Sequence, residues 1–239
     1  MTITSKTNRH LTEIRRLAGA AARARSGRFA VEGEDLLMAA DAAGINALYV
    51  LCAHGGEGAR RPGCLEVDAA LLASVCAVRS GSRMVGVFEQ RWSARASGPL
   101  AVALWGVRDP GNVGTVLRAA HAFGASSVAL GPRCADPYGP KATRASMGAI
   151  FAVPLARFAG VDELPGRVVA LSADAPRPLR GPLDGELTLL VGGERDGLPE
   201  QALAACDEVR SIPQVAGDSL NAAMAATVAL YEATRMAGG

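Results

Sequence analysis

The stretch SIPQVAGDSLNAAMAATVALYE, residues 211–232, joins a polar loop to a helix that has almost no polar face. A helix that is apolar on every side is buried on several sides, and its alanines let another backbone approach closely, from the same chain or from a second subunit. Ser219 and Asn221 stand where this helix begins. An N-cap hydroxyl and a first-turn amide are ordinary there, so a structural role and a contact with a ligand both remain open.

The apolar runs that precede this stretch have the pattern of a parallel sheet. They alternate with helical stretches, which is typical of a sheet covered on both faces, and they read AVALWGV, SSVAL, RVVAL, LTLLV and EVRSIP between residues 101 and 213. The predicted fold class is therefore α/β. In such sheets ligands bind beyond the carboxyl ends of the strands, so we expect a site in the loops that follow them.

The first of these loops, RDPGNVGTVLRAAHAFGA at residues 108–125, places Asn112 where a helix N-cap is expected. On the helix that follows, Arg118 lies nearly opposite the apolar stripe. A solvated arginine is the ordinary interpretation. The neighbours of Arg118 on that face are mostly small, which also leaves room for a partner.

A second loop, LLVGGERDGLPE at residues 189–200, is a buried strand that runs into glycines, an acidic residue and Pro199 at a predicted helix start. It matches neither the dinucleotide-binding GxGxxG pattern nor the phosphate-binding GxxxxGK[ST] pattern. Glu194 is either solvated on a tight connection or part of a site.

The front of the chain reads as a separate small α/β unit. A single basic helix is predicted over residues 11–25, and RWSARASGP at residues 91–99 has the character of a linker. The predicted domains are therefore residues 1–90 and 100–239, joined by this linker. Residues 1–30 contain seven arginine or lysine residues against one acid, Glu13, which suits either a polyanion or a solvated helix face.

The amino-terminal residues lack the apolar segment of a signal peptide, and no apolar run approaches the roughly 20 residues that span a bilayer. We therefore expect a soluble, cytoplasmic protein. The five cysteines are scattered and odd in number, and no histidine has metal-ligand spacing, so neither a disulfide framework nor a metal site is expected. The cysteines are Cys52, Cys64, Cys76, Cys134 and Cys206.

Three stretches together resemble the SpoU (TrmH-like) family of RNA 2′-O-ribose methyltransferases, in the SPOUT superfamily. DPGNVGTVLRAAHAFGA, VGGERDGLP and SIPQVAGDSLNAAMAATVALYE are similar to the three family motifs, in the same order. The front unit, with GRFAVEGEDLLMAA, is similar to the L30e-like RNA-binding domain that often precedes this catalytic domain. Gln214 and Ala222 depart from the methionine and valine that are common at these places in the third motif.

The resemblance implies a deep trefoil knot in the carboxyl-terminal domain, an exception to the rule that connections do not thread loops. It also implies S-adenosylmethionine as cofactor and a homodimer formed through the knot domain, which suits small residues such as Ala222, Ala225 and Ala229. The residues that would hold the cofactor are Gly192, Ile212 and Leu220. The implied catalytic residues are Asn112, Arg118, Glu194, Ser219 and Asn221.

The function implied is 2′-O-ribose methylation of RNA, with 23S ribosomal RNA preferred. Transfer RNA as substrate, or a non-catalytic RNA-binding or ribosome-assembly factor on the same fold, are the alternatives, and methylation of a protein or small molecule gains nothing from the basic front unit. The residues expected to contact RNA phosphates are Arg15, Arg16, Arg25, Arg28, Lys141 and Arg144.

In this family, the arginine that matches Arg118 is proposed to be the general base. A guanidinium, however, is normally protonated at physiological pH. Such a base requires neighbouring cations or a dry pocket to lower its pKa. Alternatively, Arg118 stays charged, stabilises the emerging alkoxide and holds the adjacent phosphate.

Overall fold

The structure of the chain, a computed structural model, describes residues 2–56, 61–76, 83–216 and 220–235. Besides a short 3-10 turn at Val161–Glu163, its elements in chain order are α1 (Arg9–Leu17), α2 (Ala20–Ser26), β1 (Arg28–Glu32), α3 (Glu34–Ala42), β2 (Tyr49–Ala53), β3 (Cys64–Val67), α4 (Ala69–Ala73), β4 (Met84–Glu89), β5 (Leu100–Trp105), α5 (Pro110–Ala122), β6 (Ser127–Leu130), α6 (Pro140–Ala145), α7 (Ala149–Ala152), β7 (Leu155–Arg157), β8 (Arg167–Leu171), β9 (Leu187–Gly192), α8 (Glu200–Ala204), β10 (Glu208–Arg210) and α9 (Ala222–Thr234).

The chain forms two compact units whose limits differ from the predicted domains. The first comprises Met1–Gln90 with Asp136–Ala152, and the second Arg91–Ala135 with Val153–Gly239. The stretch 91–99 is irregular, as its sequence indicates, but it is not a free linker. The backbone N–H of Ser93 donates to the carbonyl of Leu155 (2.7 Å), and that of Ser97 donates to the hydroxyl of Ser127 (3.0 Å), so the stretch lies along the second unit.

The segment 136–152, which was expected in the carboxyl-terminal domain, packs within the first unit instead. Its aromatic side chains join the core there. The ring centroids of Tyr138 and Phe29 are 4.7 Å apart, and those of Phe151 and Phe88 are 4.8 Å apart. These partners are far apart in sequence, and local periodicity carries no information about such pairs.

The first unit is built on a four-stranded sheet in the order β1-β4-β2-β3. β4 runs antiparallel to both β1 and β2, whereas β2 and β3 are parallel. The apolar face of α1 covers the sheet, with Leu11, Ile14 and Leu17 packed into the same buried cluster as Leu51 and Val85. The charged face of α1 is thereby turned away from the core.

The predicted helix over residues 11–25 is in fact two helices, α1 and α2, with a break at Gly19. Arg23, which was counted with the basic surface, is only 4% exposed and lies against this break. Its guanidinium donates to the carbonyls of Leu17 (2.8 Å) and Ala18 (2.9 Å) and pairs with Asp136 (2.8 Å). A buried cation therefore satisfies carbonyls that the end of α1 leaves without helical partners.

The expectation of no disulfide is wrong, because Cys52 and Cys64 are bonded, with their Cα atoms 6.3 Å apart. Cys52 lies on β2 and Cys64 on the neighbouring parallel strand β3. Cysteine spacing gives no hint of this bond, since the pairing of the two strands is what brings the sulfur atoms together.

The second unit contains a six-stranded sheet in the order β10-β8-β9-β5-β6-β7. Every neighbouring pair is parallel, which confirms the predicted parallel sheet. β5 and β9 lie side by side at its centre, and Trp105 is in register with Gly192 at their carboxyl ends. The loops after β5 and β9, which carry two of the polar motifs, therefore start next to each other.

In the described part of the chain, no helix has both the length and the apolarity needed to cross a membrane.

Candidate active site

The loop after β9, the segment after β10 and the start of α9 surround a cavity of about 420 Å³. The three residues expected to hold a cofactor, Gly192, Ile212 and Leu220, all line it. A further wall comes from Leu171–Asp174, at the carboxyl end of β8. The cavity thus lies where ligands bind in parallel sheets, and its volume is in the range of small-molecule sites.

Two consecutive glycines give the loop after β9 its shape. A Cβ atom on Gly192 would lie 2.5 Å from the backbone carbon of Gly197, and one on Gly193 would overlap the carbonyl oxygen of Gly106 in the loop after β5. The backbone N–H of Gly197 also donates to the carbonyl of Gly193 (3.0 Å). The loop can curl against itself and against its neighbour only because these positions carry no side chain.

Three predicted catalytic residues meet beside this cavity, which Glu194 lines. The side-chain amide of Asn112 donates to the carboxylate of Glu194, and the amide of Asn221 donates to the side-chain oxygen of Asn112 (3.2 Å). Each residue comes from a different motif and a different loop. The sheet therefore assembles a hydrogen-bonded chain from parts of the sequence that lie about 30 to 110 residues apart.

The N-caps of α9 and α5 determine which groups of Asn221 and Asn112 are available to the network. Asn221 is the N-cap of α9, and its side-chain oxygen accepts from the backbone N–H groups of Ala223 (2.9 Å) and Met224 (3.4 Å). Its NH₂ group is left to point at Asn112. The N-cap of α5 is Asp109, whose carboxylate accepts from the backbone N–H groups of Gly111 (2.6 Å) and Asn112 (3.3 Å). The prediction of Asn112 as N-cap is therefore wrong, and its side-chain amide is available to the network.

A second cavity of about 470 Å³ borders the same residues. Asn112 and Glu194 line it together with Arg108, Arg195 and Asp196, and Glu194 also lines the first cavity. Arg108 pairs with Asp196 (3.2 Å), which connects the loops after β5 and β9. Motif comparison missed Arg108, Arg195 and Asp196. The sequence does place all three in the loops that follow predicted strands, and this position could have identified them.

Arg118 is not part of this network. It is exposed on α5, lines neither cavity, and forms no hydrogen bond or salt bridge with the residues that the structure describes. It lies six residues after Asn112, which is about 9 Å along a helix axis. Ser219 lies outside the described residues, so its role stays a prediction.

The residues expected to contact RNA differ in their exposure and in their partners. Arg16 and Arg25 are exposed and line a cleft of about 570 Å³ between α1 and α2, which Arg9 also lines. Arg15 is exposed and donates to the carbonyl of Lys6 (2.9 Å). Lys141 is exposed as well.

Arg28 and Arg144 are both engaged with acids. Arg28 pairs with Glu13 (2.9 Å), and the hydrogen bond and charge of that carboxylate raise the pKa of Arg28. Arg144 pairs with Asp35 (3.1 Å). Part of the positive charge counted in the sequence is therefore neutralised within the first unit.

The described free cysteines are not activated nucleophiles. Burial raises the pKa of Cys76 to about 12 and that of Cys206 to about 11, and it also raises the pKa of Cys134. All three thiols are protonated at neutral pH, whereas nucleophilic cysteines have lowered pKa values. Within the described residues, no group of His, Cys, Asp or Glu could hold a metal ion.

Residues 99–231 match the model of the SpoU rRNA Methylase family. This match covers more than half of the chain, and the chain therefore belongs to the SpoU family. It is also similar to a 23S rRNA (uridine(2479)-2′-O)-methyltransferase of Streptomyces viridochromogenes, with 38% identity over 140 residues, 53% of this chain and 49% of the relative. The chain spans about half the length of the curated relatives it matches.

Solved structures resemble the chain over nearly its whole length. An AdoMet-bound rRNA methyltransferase from Sinorhizobium meliloti has a TM-score of 0.87 at 31% identity, covering 100% of this chain and 99% of that one. The SpoU methyltransferase AviRb from Streptomyces viridochromogenes, in complex with AdoMet, has a TM-score of 0.83 at 26% identity, covering 97% and 100%.

Proposed function

We propose that this chain transfers a methyl group from S-adenosylmethionine to a ribose 2′-hydroxyl of 23S ribosomal RNA. The observation that carries the proposal is the Asn112, Glu194 and Asn221 network beside a cavity of about 420 Å³ that Glu194 lines, in a chain of the SpoU family. The AdoMet bound by two similar structures supports the cofactor. The name of the Streptomyces relative supports ribosomal RNA and the 2′-oxygen.

The lining of the first cavity suits this cofactor. Gly192, Ile212 and Leu220 border it, and its three acids, Asp174, Glu194 and Asp196, outnumber its one cation, Arg195. A carboxylate near a bound cation lowers the free energy of the complex, and the cofactor carries positive charge on its sulfonium and amino groups. When bound, S-adenosylmethionine supplies an electrophilic methyl group.

The network then orients the nucleophile. Asn112 is held between Glu194 and Asn221, so the Glu194 carboxylate has a fixed position and can accept a hydrogen bond from a ribose hydroxyl through its second oxygen. Fixing a hydroxyl in line with its target removes much of the entropic cost of reaction. Transfer of the methyl group to the ribose oxygen would leave the cofactor as a neutral thioether, and the hydroxyl proton would pass to water.

We assign Arg118 to charge stabilisation and phosphate contact. A guanidinium has five N–H donors and no acceptor, and Arg118 is exposed rather than held in a dry pocket. Because it lies away from Asn112 on its own chain, it would serve a site only by approaching it from outside the Asn112 network.

A homodimer provides that approach. The outer face of α9 exposes Met224, Val228 and Tyr231, at 62%, 38% and 53% respectively, and α9 packs beside α5, where the ring of Phe123 contacts that of Tyr231. Apolar residues four and three positions apart form one stripe on a helix. A second copy of the chain that covers this stripe would bring its own α5, and with it Arg118, to the interface.

Two further features of the resemblance belong to this proposal. The trefoil knot would lie where the segments after β9 and β10 form the cofactor cavity, and the first unit would act as an L30e-like domain that holds RNA. Both rest on the resemblance of the three motifs and of the front unit to this family.

The test is transfer of labelled methyl groups from S-adenosylmethionine to ribosomal and transfer RNA, followed by mapping of the modified nucleotide. We expect 23S rRNA to be labelled on a ribose, and Arg118→Ala to lower the rate by about 10²-fold or more. Thr115→Ala, on the same face of α5, is the matched control and should keep the parent rate. Equal rates for Arg118→Ala and the parent would refute the role of Arg118, and labelling of transfer RNA alone would refute the substrate.

A further inference from the structure

We propose that a cleft lined by four arginines at the β10 edge of the second unit binds phosphates of the RNA backbone. The cleft has a volume of about 350 Å³ and lies apart from the cofactor cavity. Its cations are Arg167, Arg177, Arg180 and Arg210. The inference rests on the proposed RNA methylation and adds a second contact surface, on the same unit as the Asn112 network.

The arginines outnumber the acids of this cleft. Glu208 pairs with both Arg167 and Arg210, and these two guanidiniums lower its pKa, so its charge is present at neutral pH. Arg177 and Arg180 are exposed, and neither side chain forms a hydrogen bond or salt bridge with any described residue. The cleft therefore presents a net positive charge with two unengaged guanidinium groups.

The backbone that carries these two arginines is fixed at its front end by β10. The N–H of Ser211 donates to the carbonyl of Arg177 (2.9 Å), and the N–H of Leu179 donates to the carbonyl of Ser211 (2.7 Å), which extends the sheet by one short bridge. The Leu179 side chain between the two arginines is buried. Arg177 and Arg180 thus project from an anchored segment rather than from a loose loop.

The far end of the segment is fixed by the last turns of α9. The N–H of Gly181 donates to the carboxylate of Glu232 (3.0 Å), and its carbonyl accepts from Arg235 (2.9 Å). The N–H of Leu183 donates to the carbonyl of Ala233 (3.2 Å). A site built on fixed backbone loses less conformational entropy when it binds a ligand.

The chemistry of the cleft fits phosphodiester oxygens. Guanidinium groups bind phosphate through paired N–H donors, and several arginines in a row suit a chain of phosphates better than a single carboxylate. Two chain segments connect the cleft to the cofactor cavity within a few residues. Asp174, which lines the cavity, precedes Arg177 by three residues, and Ile212, which also lines it, follows Arg210 by two. An RNA strand on this edge would lie close to the cavity along both chain segments.

The proposal is tested with the full chain by measuring RNA affinity over a range of salt concentrations. The variant R177A/R180A removes both unengaged cations, and R177K/R180K keeps their charge. The variant Q201E/A204E changes net charge by the same amount at exposed positions on α8 and serves as the control. Fluorescence anisotropy with a labelled 23S rRNA fragment gives affinity, and calorimetry gives S-adenosylmethionine binding.

We expect R177A/R180A to bind RNA about tenfold more weakly at low salt and to reduce the slope of log K against log salt by about two. R177K/R180K should recover most of the slope, Q201E/A204E should bind as the parent, and all variants should bind S-adenosylmethionine equally. If the parent methylates RNA and R177A/R180A keeps its affinity and slope, the cleft is not an RNA site. Binding of inorganic pyrophosphate in the cleft without any effect on RNA affinity would also overturn the proposal.

Failure of the proposed function gives a different result. In that case the parent neither binds the 23S rRNA fragment nor transfers a methyl group to RNA, whatever residues stand at positions 177 and 180.

Discussion

Asn221 has two separable roles, because its side-chain oxygen and its NH₂ group have different partners. The oxygen caps α9 by accepting from Ala223 and Met224, whereas the NH₂ group donates to Asn112. Aspartate keeps the acceptor and loses the donor, so Asn221→Asp should retain thermal stability while methyl transfer falls. Asn221→Ala should lose both, with about 1 kcal/mol of stability from the missing cap. Thermal denaturation and transfer rates on the same preparations measure the two effects.

If Asn221→Asp unfolds as readily as Asn221→Ala, the cap is not the source of stability. If it transfers methyl groups at the parent rate, the hydrogen bond to Asn112 is not needed for catalysis.

The shape of the cofactor cavity depends on the absence of a side chain at Gly193. Because a Cβ there would overlap the carbonyl of Gly106, Gly193→Ala should displace the loop after β9 and weaken S-adenosylmethionine binding by about tenfold or more. Gly19→Ala is the control, since its Cβ would meet only the carbonyl of Arg16 at 3.4 Å. Calorimetry checks both variants, and unchanged affinity for Gly193→Ala would contradict this account of the loop.

At the scale of the elements, α2 carries two arginines with opposite environments. Arg23 is buried against the end of α1 and Asp136, whereas Arg25 is exposed in the cleft between α1 and α2. Arg23→Ala should therefore lower the free energy of unfolding by about 2–3 kcal/mol, through lost charged hydrogen bonds and a less compensated Asp136. Arg25→Ala should leave stability within about 0.5 kcal/mol and weaken RNA binding. Urea denaturation and anisotropy distinguish them, and equal losses of stability would contradict the assignment.

These elements also mark what sequence could predict. The parallel strands and the loops that carry Asn112, Glu194 and Asn221 were predictable, because buried parallel strands are continuous apolar runs and their ends are marked by turn residues. The burial of Arg23 and the disulfide of Cys52 with Cys64 were not, since each depends on a partner that only the folded chain brings near. The implied roles of these side chains came from the resemblance, whereas their hydrogen bonds came from the structure.

At the scale of the whole molecule, the first unit uses much of its positive charge internally. Arg23, Arg28 and Arg144 are all paired with acids, so a count of basic residues overstates what the front of the chain offers to RNA. The cleft at the β10 edge supplies cations on the other unit. Recognition of RNA by both units is compatible with a formal net charge of only +2, because binding depends on local clusters of charge rather than on their sum.

The exposed stripe of α9 leads to a prediction about assembly and catalysis together. A carboxylate at the centre of an apolar interface is desolvated without compensation, so Tyr231→Glu should shift the chain from dimer to monomer in analytical ultracentrifugation and abolish transfer. Arg118→Ala should remain dimeric and lose transfer only.

If Arg118 serves the site of the other subunit, mixing Arg118→Ala with Asn221→Ala should restore activity, because each mixed dimer holds one site with both residues intact. Restored activity requires exchange of subunits, which a brief incubation at mild denaturant concentration promotes. Mixed dimers that stay inactive would place Arg118 and Asn221 in the same subunit's site, and a monomeric parent would remove the interface from the proposal.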